Sequence, residues 1–427
     1  MRFHPAALLL IVWGSAFVAY LILPFELTFR TMTDEGVLIL ILFIVAFCFG
    51  ALLRTVHVPA HQVNPPDKLR FANADFLLVS LASVALLSLG FEVFRSGLLD
   101  LGTAYSQRSN QAQALLHGGL SQSSGLFKIG FSCYPASFVY LVRCILLERK
   151  PRLVPLVIFG VLPGIMAGIV MGGRTPMFCT LAYGFLAYRA RNFLYNTRPD
   201  KGQPTHQFIH PNVKILAILA GSLAFVYFIK VFIARAEVLG GTEVMFQHVA
   251  THWGVTFSYP SAVLMIEMLG PTVTYLIFVF SWYLIQGIVM SNTLFTEYAG
   301  EPLIGVYGID ILTAVIRRIN PEWVAGNFNY LLDLEVYGFF PSAFGTFFVD
   351  FSYIGIIFAA MWGWLAAVVY RNIRRGSDPR WFLFSPFVTL GIVFGLVNTP
   401  LGFSNGFITH FWLLLAFLLI RRPTKAA

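Results

Sequence analysis

Apolar stretches of similar length alternate with short polar connections along most of the chain. They cover residues 5–24, 36–54, 74–94, 124–147, 152–171, 175–190, 213–233, 343–370, 381–399 and 406–420. A helix needs about 20 apolar residues to cross the hydrocarbon core of a bilayer. Lipid offers the backbone no hydrogen-bond partner, so such stretches are helical. The pattern predicts an all-α, polytopic transmembrane helical protein of about 10–12 spans. Residues 1–427 form a single integral membrane domain. The first run follows one arginine and precedes no small-residue cleavage site, so it reads as a retained helix.

Composition sharpens this picture. The chain is 57% hydrophobic and 11% charged, with a mean hydropathy of +0.74. Soluble domains carry about 25% charge. A water-soluble enzyme and a disordered chain are both excluded. The net charge of +9 would suggest nucleic acid in a soluble protein. Here its distribution matters more, because Lys and Arg of short loops stay on the cytoplasmic side. With the N-terminus in the cytoplasm, the inner segments hold 20 basic and 5 acidic residues, a net of +15. The outer half keeps 9 basic and 15 acidic residues, a net of −6. The basic excess is a topology signal, and no nucleic-acid partner follows from it.

Residues 234–342 break the rhythm and read as one large periplasmic loop segment. Nine acids fall there, against Arg235, Arg317 and Arg318 alone. The segment begins and ends outside, so crossings within it are even in number. The run 272–290 is apolar enough to span. A transmembrane hairpin and helices lying on, or re-entering, the outer surface both fit. Loops longer than about 15 residues are usually functional, so the chemistry is expected here. Cys48, Cys133, Cys144 and Cys179 all lie in apolar runs and read as packing residues. No zinc motif exists, so neither metal nor cofactor is expected. No internal repeat of the transporter kind is evident.

Several residues bear on chemistry. In M-G-G-R-T, residues 171–175, Arg174 stands at a helix start opened by Thr175-Pro176. Helix N-termini attract anions, so Arg174 reads as a diphosphate clamp; the plain alternative is an arginine reaching for headgroups. Arg235 emerges at the same outer boundary, and two guanidinium groups can grip a diphosphate. Asp310, Arg317 and Arg318 share one face of a helix, which is equally the face of a surface amphipathic helix. The stretch 327–345 mixes polar groups with rings, as glycan binding requires. Asn327, Asn329, Asp333 and Tyr337 are its candidate glycan contacts. Asp310, His252 and Glu335 are the candidate bases. Asp350 is an acid within an apolar run, a place where ionisable groups are rare. Thr33-Asp34-Glu35 reads as a helix cap with acids at the positive dipole end.

These residues resemble a known family, the bacterial oligosaccharide repeat-unit polymerases of the Wzy type. T-A-Y-S-Q at 103–107, followed by Arg108, is similar to its segment after the third span. G-G-R-T at 172–175 looks like its Gly-Gly/Arg turn, and Arg235 like an Arg after the next span. P-S-A-F-G-T-F-F-V-D-F-S-Y-I-G at 341–355 is similar to its S-x-x-G-x-x-y-x-D-x-G-x-x-G. Ser352 stands where that family commonly has Gly. The resemblance implies a fold like the glycosyltransferase C class in the bacterial inner membrane, with both termini cytoplasmic and the site periplasmic. It implies a metal-independent transfer of a growing glycan from undecaprenyl diphosphate onto a new lipid-linked repeat unit. A chain-length regulator and a flippase are the implied protein partners. An O-antigen ligase, a transferase using a polyprenyl monophosphate donor, and a lipid-linked glycan flippase are the alternatives. A flippase would line its pathway with cations through the membrane, whereas here they gather near the outer boundary.

Overall fold

A computed structural model describes residues 3–53, 69–96, 124–148, 151–171, 173–196, 211–238, 240–336, 340–376 and 378–421. The chain is an all-α membrane protein. Among the described residues, seven helical stretches are long and apolar enough to cross a bilayer. The first two helices are Pro5–Ile22 (α1) and Asp34–Leu52 (α2), and Ala72–Ser96 is α3. Gly125–Cys133 (α4) and Pro135–Leu147 (α5) follow, joined at Tyr134. The next hydrophobic run widens into a π-helical turn over Leu156–Val161 and becomes Leu162–Val170 (α6). Thr175–Asn196 (α7) and Pro211–Val238 (α8) complete this half. Two apolar helices close the chain, the later of them Gly406–Leu419.

Small residues let these helices touch. A Cβ on Gly50 of α2 would meet the Ala360 carbonyl oxygen at 1.9 Å, and one on Gly363 would meet that of Phe47 at 2.0 Å. In lipid such backbone contact is what holds apolar helices together, since hydrophobic burial offers little difference there. Arginines finish several helices at the end of the bundle rich in basic residues. Arg191 donates to the Glu148 carbonyl at 2.7 Å, and Arg380 to that of Ile420 at 2.9 Å. Free C-terminal carbonyls and the helix dipole favour such cations. Part of the basic excess therefore also caps helices.

The acid-rich segment is largely helical. It folds into Thr242–His248 (α9), Ser261–Leu269 (α10), Pro271–Glu297 (α11), Asp310–Ile319 (α12) and Pro321–Asp333 (α13). The only sheet described is a two-stranded ribbon, an addition to the all-α expectation. Phe25–Leu27 (β1), in the connection from α1 to α2, pairs antiparallel with Val255–Phe257 (β2). This ribbon staples the segment onto one end of the bundle.

The same connection decides how α11 lies. Phe278 packs on the Phe25 ring at 5.4 Å, and Asn292 exchanges hydrogen bonds of 3.1 Å with Thr33. Fourteen residues of helix measure about 21 Å. Residues Phe278–Asn292 thus stay beside residues 25–33 and run along that end of the bundle.

The run 343–370 is not one straight span. Ser342–Phe351 (α14) folds back on Gly355–Arg375 (α15), bringing Phe344 and Phe347 each to 6.2 Å from Trp362. Residues 18 apart on one helix would be about 27 Å apart. The reversal falls at Ser352, whose φ of 51° is left-handed, and at Gly355, where a Cβ would meet the Phe347 oxygen at 2.6 Å. Ser342 fixes the other end: its hydroxyl lies 2.7 Å from that of Ser291 and accepts from the Phe344 amide at 3.1 Å. Ser385–Phe394 (α16), which precedes Gly406–Leu419 (α17), ends against this point, where Gly395 accepts from the Ala343 amide at 2.8 Å. The 341–355 motif thus encodes a helical hairpin. A non-glycine residue in the left-handed region costs about 1–2 kcal/mol. Ser352→Gly is expected to stabilise the protein by about 1 kcal/mol, read as a higher unfolding temperature in detergent.

Candidate anion-binding site

Arg174 lies in the turn from α6 to α7, closed by a 3.0 Å hydrogen bond from the Gly173 amide to the Gly168 carbonyl. Its guanidinium carbon stands 3.5 Å from the Phe232 ring centroid on α8. Its Nη2 donates to the Tyr283 hydroxyl on α11 at 3.2 Å. Its Nη1 is buried without a hydrogen-bond partner. Burial pushes this guanidinium down from its ordinary value, Tyr283 opposes that, and Arg235 adds to it. Arg174 and Arg235 thus lie within electrostatic reach of each other. Tyr227 on α8 buries its hydroxyl without a partner, within the field of both arginines. Phe340, just ahead of α14, packs against Tyr283 with ring centroids 6.3 Å apart. An aromatic face offsets part of the cost of holding a cation away from water. The remainder is offset when an anion enters.

A second cation, Arg30, organises the far part of α11. It is 2% exposed. Nε donates to the Trp253 carbonyl at 2.8 Å, Nη2 to that of Glu335 at 2.5 Å, and Nη1 reaches Thr293 Oγ1 at 3.5 Å. One side chain thus ties the first connection to three distant segments. Burial pushes it down, and the Glu335 and Glu297 carboxylates push it back up. Glu335 is strained at φ 53°, and its Oε2 is buried without a hydrogen-bond partner. Reasoning from sequence missed Arg30, Tyr227, Phe232 and Tyr283. Arg30 carried the same signal as Arg174, being one of nine basic residues in the acidic outer half.

The other expected residues fall elsewhere. His252 is exposed and stacks on His248, ring centroids 4.3 Å apart. Asp310 is exposed at the first turn of α12, within electrostatic reach of Tyr134. Arg317 lies 5.8 Å from the Phe328 ring, and Arg318 is exposed. The polar stretch from 327 is helical up to Asp333. There Asn327 spends its amide on the Trp323 carbonyl at 2.8 Å, while Asn329 and Asp333 are exposed. Asn329 and Asp333, four apart, share a helix face; Asn327 and Asn329 do not. Asp350 is 2% exposed and accepts from the amides of Tyr307 and Gly308 at 2.9 and 2.8 Å, so it holds the 303–308 turn. Thr33 accepts from the Gly36 amide at 3.1 Å, a helix cap. Arg108 and Tyr337 lie outside the described residues, as do residues 103–107. No group of three metal-ligating side chains occurs among the described residues.

The fold and site define a helical membrane protein with Arg174 set among aromatic rings, in the field of Arg235. Comparison with protein-family models, curated proteins and solved structures finds no match to this chain.

Two predictions follow from this geometry. Inorganic pyrophosphate should raise the unfolding temperature of the purified protein. Arg174→Gln should abolish that rise, and Tyr283→Phe should weaken binding about fivefold, the worth of one hydrogen bond. Burial first, and then the neighbouring His252, lower the His248 value below 6.5. The unfolded segment therefore binds protons more readily, so stability present above 6.5 is lost as pH falls below it. His248→Gln should flatten that acid-side loss in a melting series from pH 7.5 to 5.

Proposed function

We propose that the chain is a membrane glycosyltransferase that polymerises undecaprenyl diphosphate-linked oligosaccharide repeat units into a surface polysaccharide. The observation that carries this reading is the Arg174 cluster: two arginines in each other's field, one with a buried, unpartnered Nη1. Such a place suits a doubly charged leaving group. The acceptor hydroxyl attacks the anomeric carbon, and the diphosphate leaves with the bonding electrons. Fixed cations stabilise that developing charge with little reorganisation. The resemblance of residues 341–355 to the polymerase motif supports the same reading, because those residues shape the helical hairpin beside the site.

On this reading the fold belongs with the glycosyltransferase C class and sits in the bacterial inner membrane. The termini are cytoplasmic, and the arginine cluster faces the periplasm at the depth of lipid headgroups. A flippase would deliver the substrate, and a chain-length regulator would act on the product. The exposed Asn329 and Asp333 of α13 offer polar edges to the glycan.

The test is polymer formation by purified protein given lipid-linked repeat units in detergent. Arg174→Ala and Arg235→Ala should each lower the rate about 100- to 1,000-fold, the usual effect of removing one preorganised donor to a developing charge. Unchanged polymer from both variants would sink the reading.

A further inference from the structure

The sequence leaves three candidate bases, Asp310, His252 and Glu335. We infer that Glu335 is the residue that takes the acceptor proton, and that Arg30 is the positioning residue that holds it. This rests on the transferase reading above.

Glu335 combines three observations that the other two candidates lack. Its carboxylate oxygen Oε2 is buried with no hydrogen-bond partner. Its backbone caps the end of α13 at φ 53°, with its amide on the Leu332 carbonyl at 2.7 Å, and its own carbonyl accepts from Arg30 at 2.5 Å. It is also joined to the anion site by the chain itself: Phe340, five residues on, packs against Tyr283, the partner of Arg174. A buried polar atom left unsatisfied calls for a functional explanation.

One rigid helix carries the partners of both arginines. Thr293, at Arg30, and Tyr283, at Arg174, are ten residues apart on α11, about 15 Å of helix. The acceptor hydroxyl gives its proton to the Glu335 carboxylate. Its oxygen forms the new bond to the anomeric carbon. The bond from that carbon to the diphosphate oxygen breaks, and its electron pair leaves with the diphosphate, held at Arg174. The proton passes from Glu335 to water after product leaves, so the carboxylate is regenerated.

Arg30 acts through Glu335. Lysine keeps its charge but not the fork that reaches three carbonyl and hydroxyl oxygens at once. The experiment measures kcat and KM for polymer formation from lipid-linked repeat units, alongside pyrophosphate-induced thermal stabilisation as a readout of the Arg174 site. Glu335→Gln is expected to lower kcat at least 100-fold, with KM and pyrophosphate stabilisation unchanged. Glu335→Ala should regain activity with added formate, which supplies a diffusible base. Arg30→Gln should lower kcat with little change in KM, and Arg30→Lys should recover part of it. A Glu335→Gln protein that polymerises within threefold of the original overturns this inference alone. Failure of formate rescue with a raised KM overturns it too, because Glu335 would then be a binding or folding residue. If the unaltered protein binds pyrophosphate through Arg174 yet joins no repeat units, the transferase reading falls, and this inference with it.

Discussion

A backbone inside a membrane must find its hydrogen bonds within the protein, because the lipid supplies none. That requirement is most severe where a helix stops short, as it does between α14 and α15. The answer is Asp350. Its carboxylate takes the Tyr307 and Gly308 amides, while the carbonyls of Val349 and Asp350 take those of Leu303 and Ile304. The end of the short helix and the turn over it satisfy each other. With that turn fixed, the hairpin can present its other end, at Phe340, to the anion site.

The arginines at this end show how one residue type serves different purposes. Arg30 is saturated by oxygens of distant segments and acts as a fastening. Arg174 rests on rings and one phenol, and keeps an Nη1 unspent. Arg30 is buried and Arg174 half-buried, but the deciding difference is what surrounds them. A cation that meets carbonyls and carboxylates holds the fold together. A cation that meets aromatic faces and another cation is poised for an anion.

α11 connects these two situations. It is apolar enough to cross a bilayer, yet along Phe278–Asn292 it runs beside the α1–α2 connection. Tyr283 and Thr293 are thereby held at a fixed separation on one rigid element. A site carried on a helix keeps its geometry better than one carried on a loop. Asn292, Thr293 and Ser291 in the helix are polar because they face backbone and side-chain groups of other segments.

Much of this was legible in the chain alone. Runs of about 20 apolar residues make membrane helices. Arg174 and Arg235 stood out because cations are scarce in an acid-rich half. These properties are local, so a one-dimensional pattern contains them. The run 343–370 misled because hydropathy cannot register a reversal at Ser352; a left-handed φ is a property of the folded backbone. The hydrogen bond from the Asn327 amide to the Trp323 carbonyl one turn back was equally invisible. Arg30 and Glu335, more than 300 positions apart in the chain, became neighbours only through tertiary packing. Hydrogen bonds at that separation leave no periodic trace in sequence. The sequence by itself determined that this is a membrane protein with cations at one boundary. Which cation fastens and which stays open was decided by the fold, because a charge is defined by the partners that surround it.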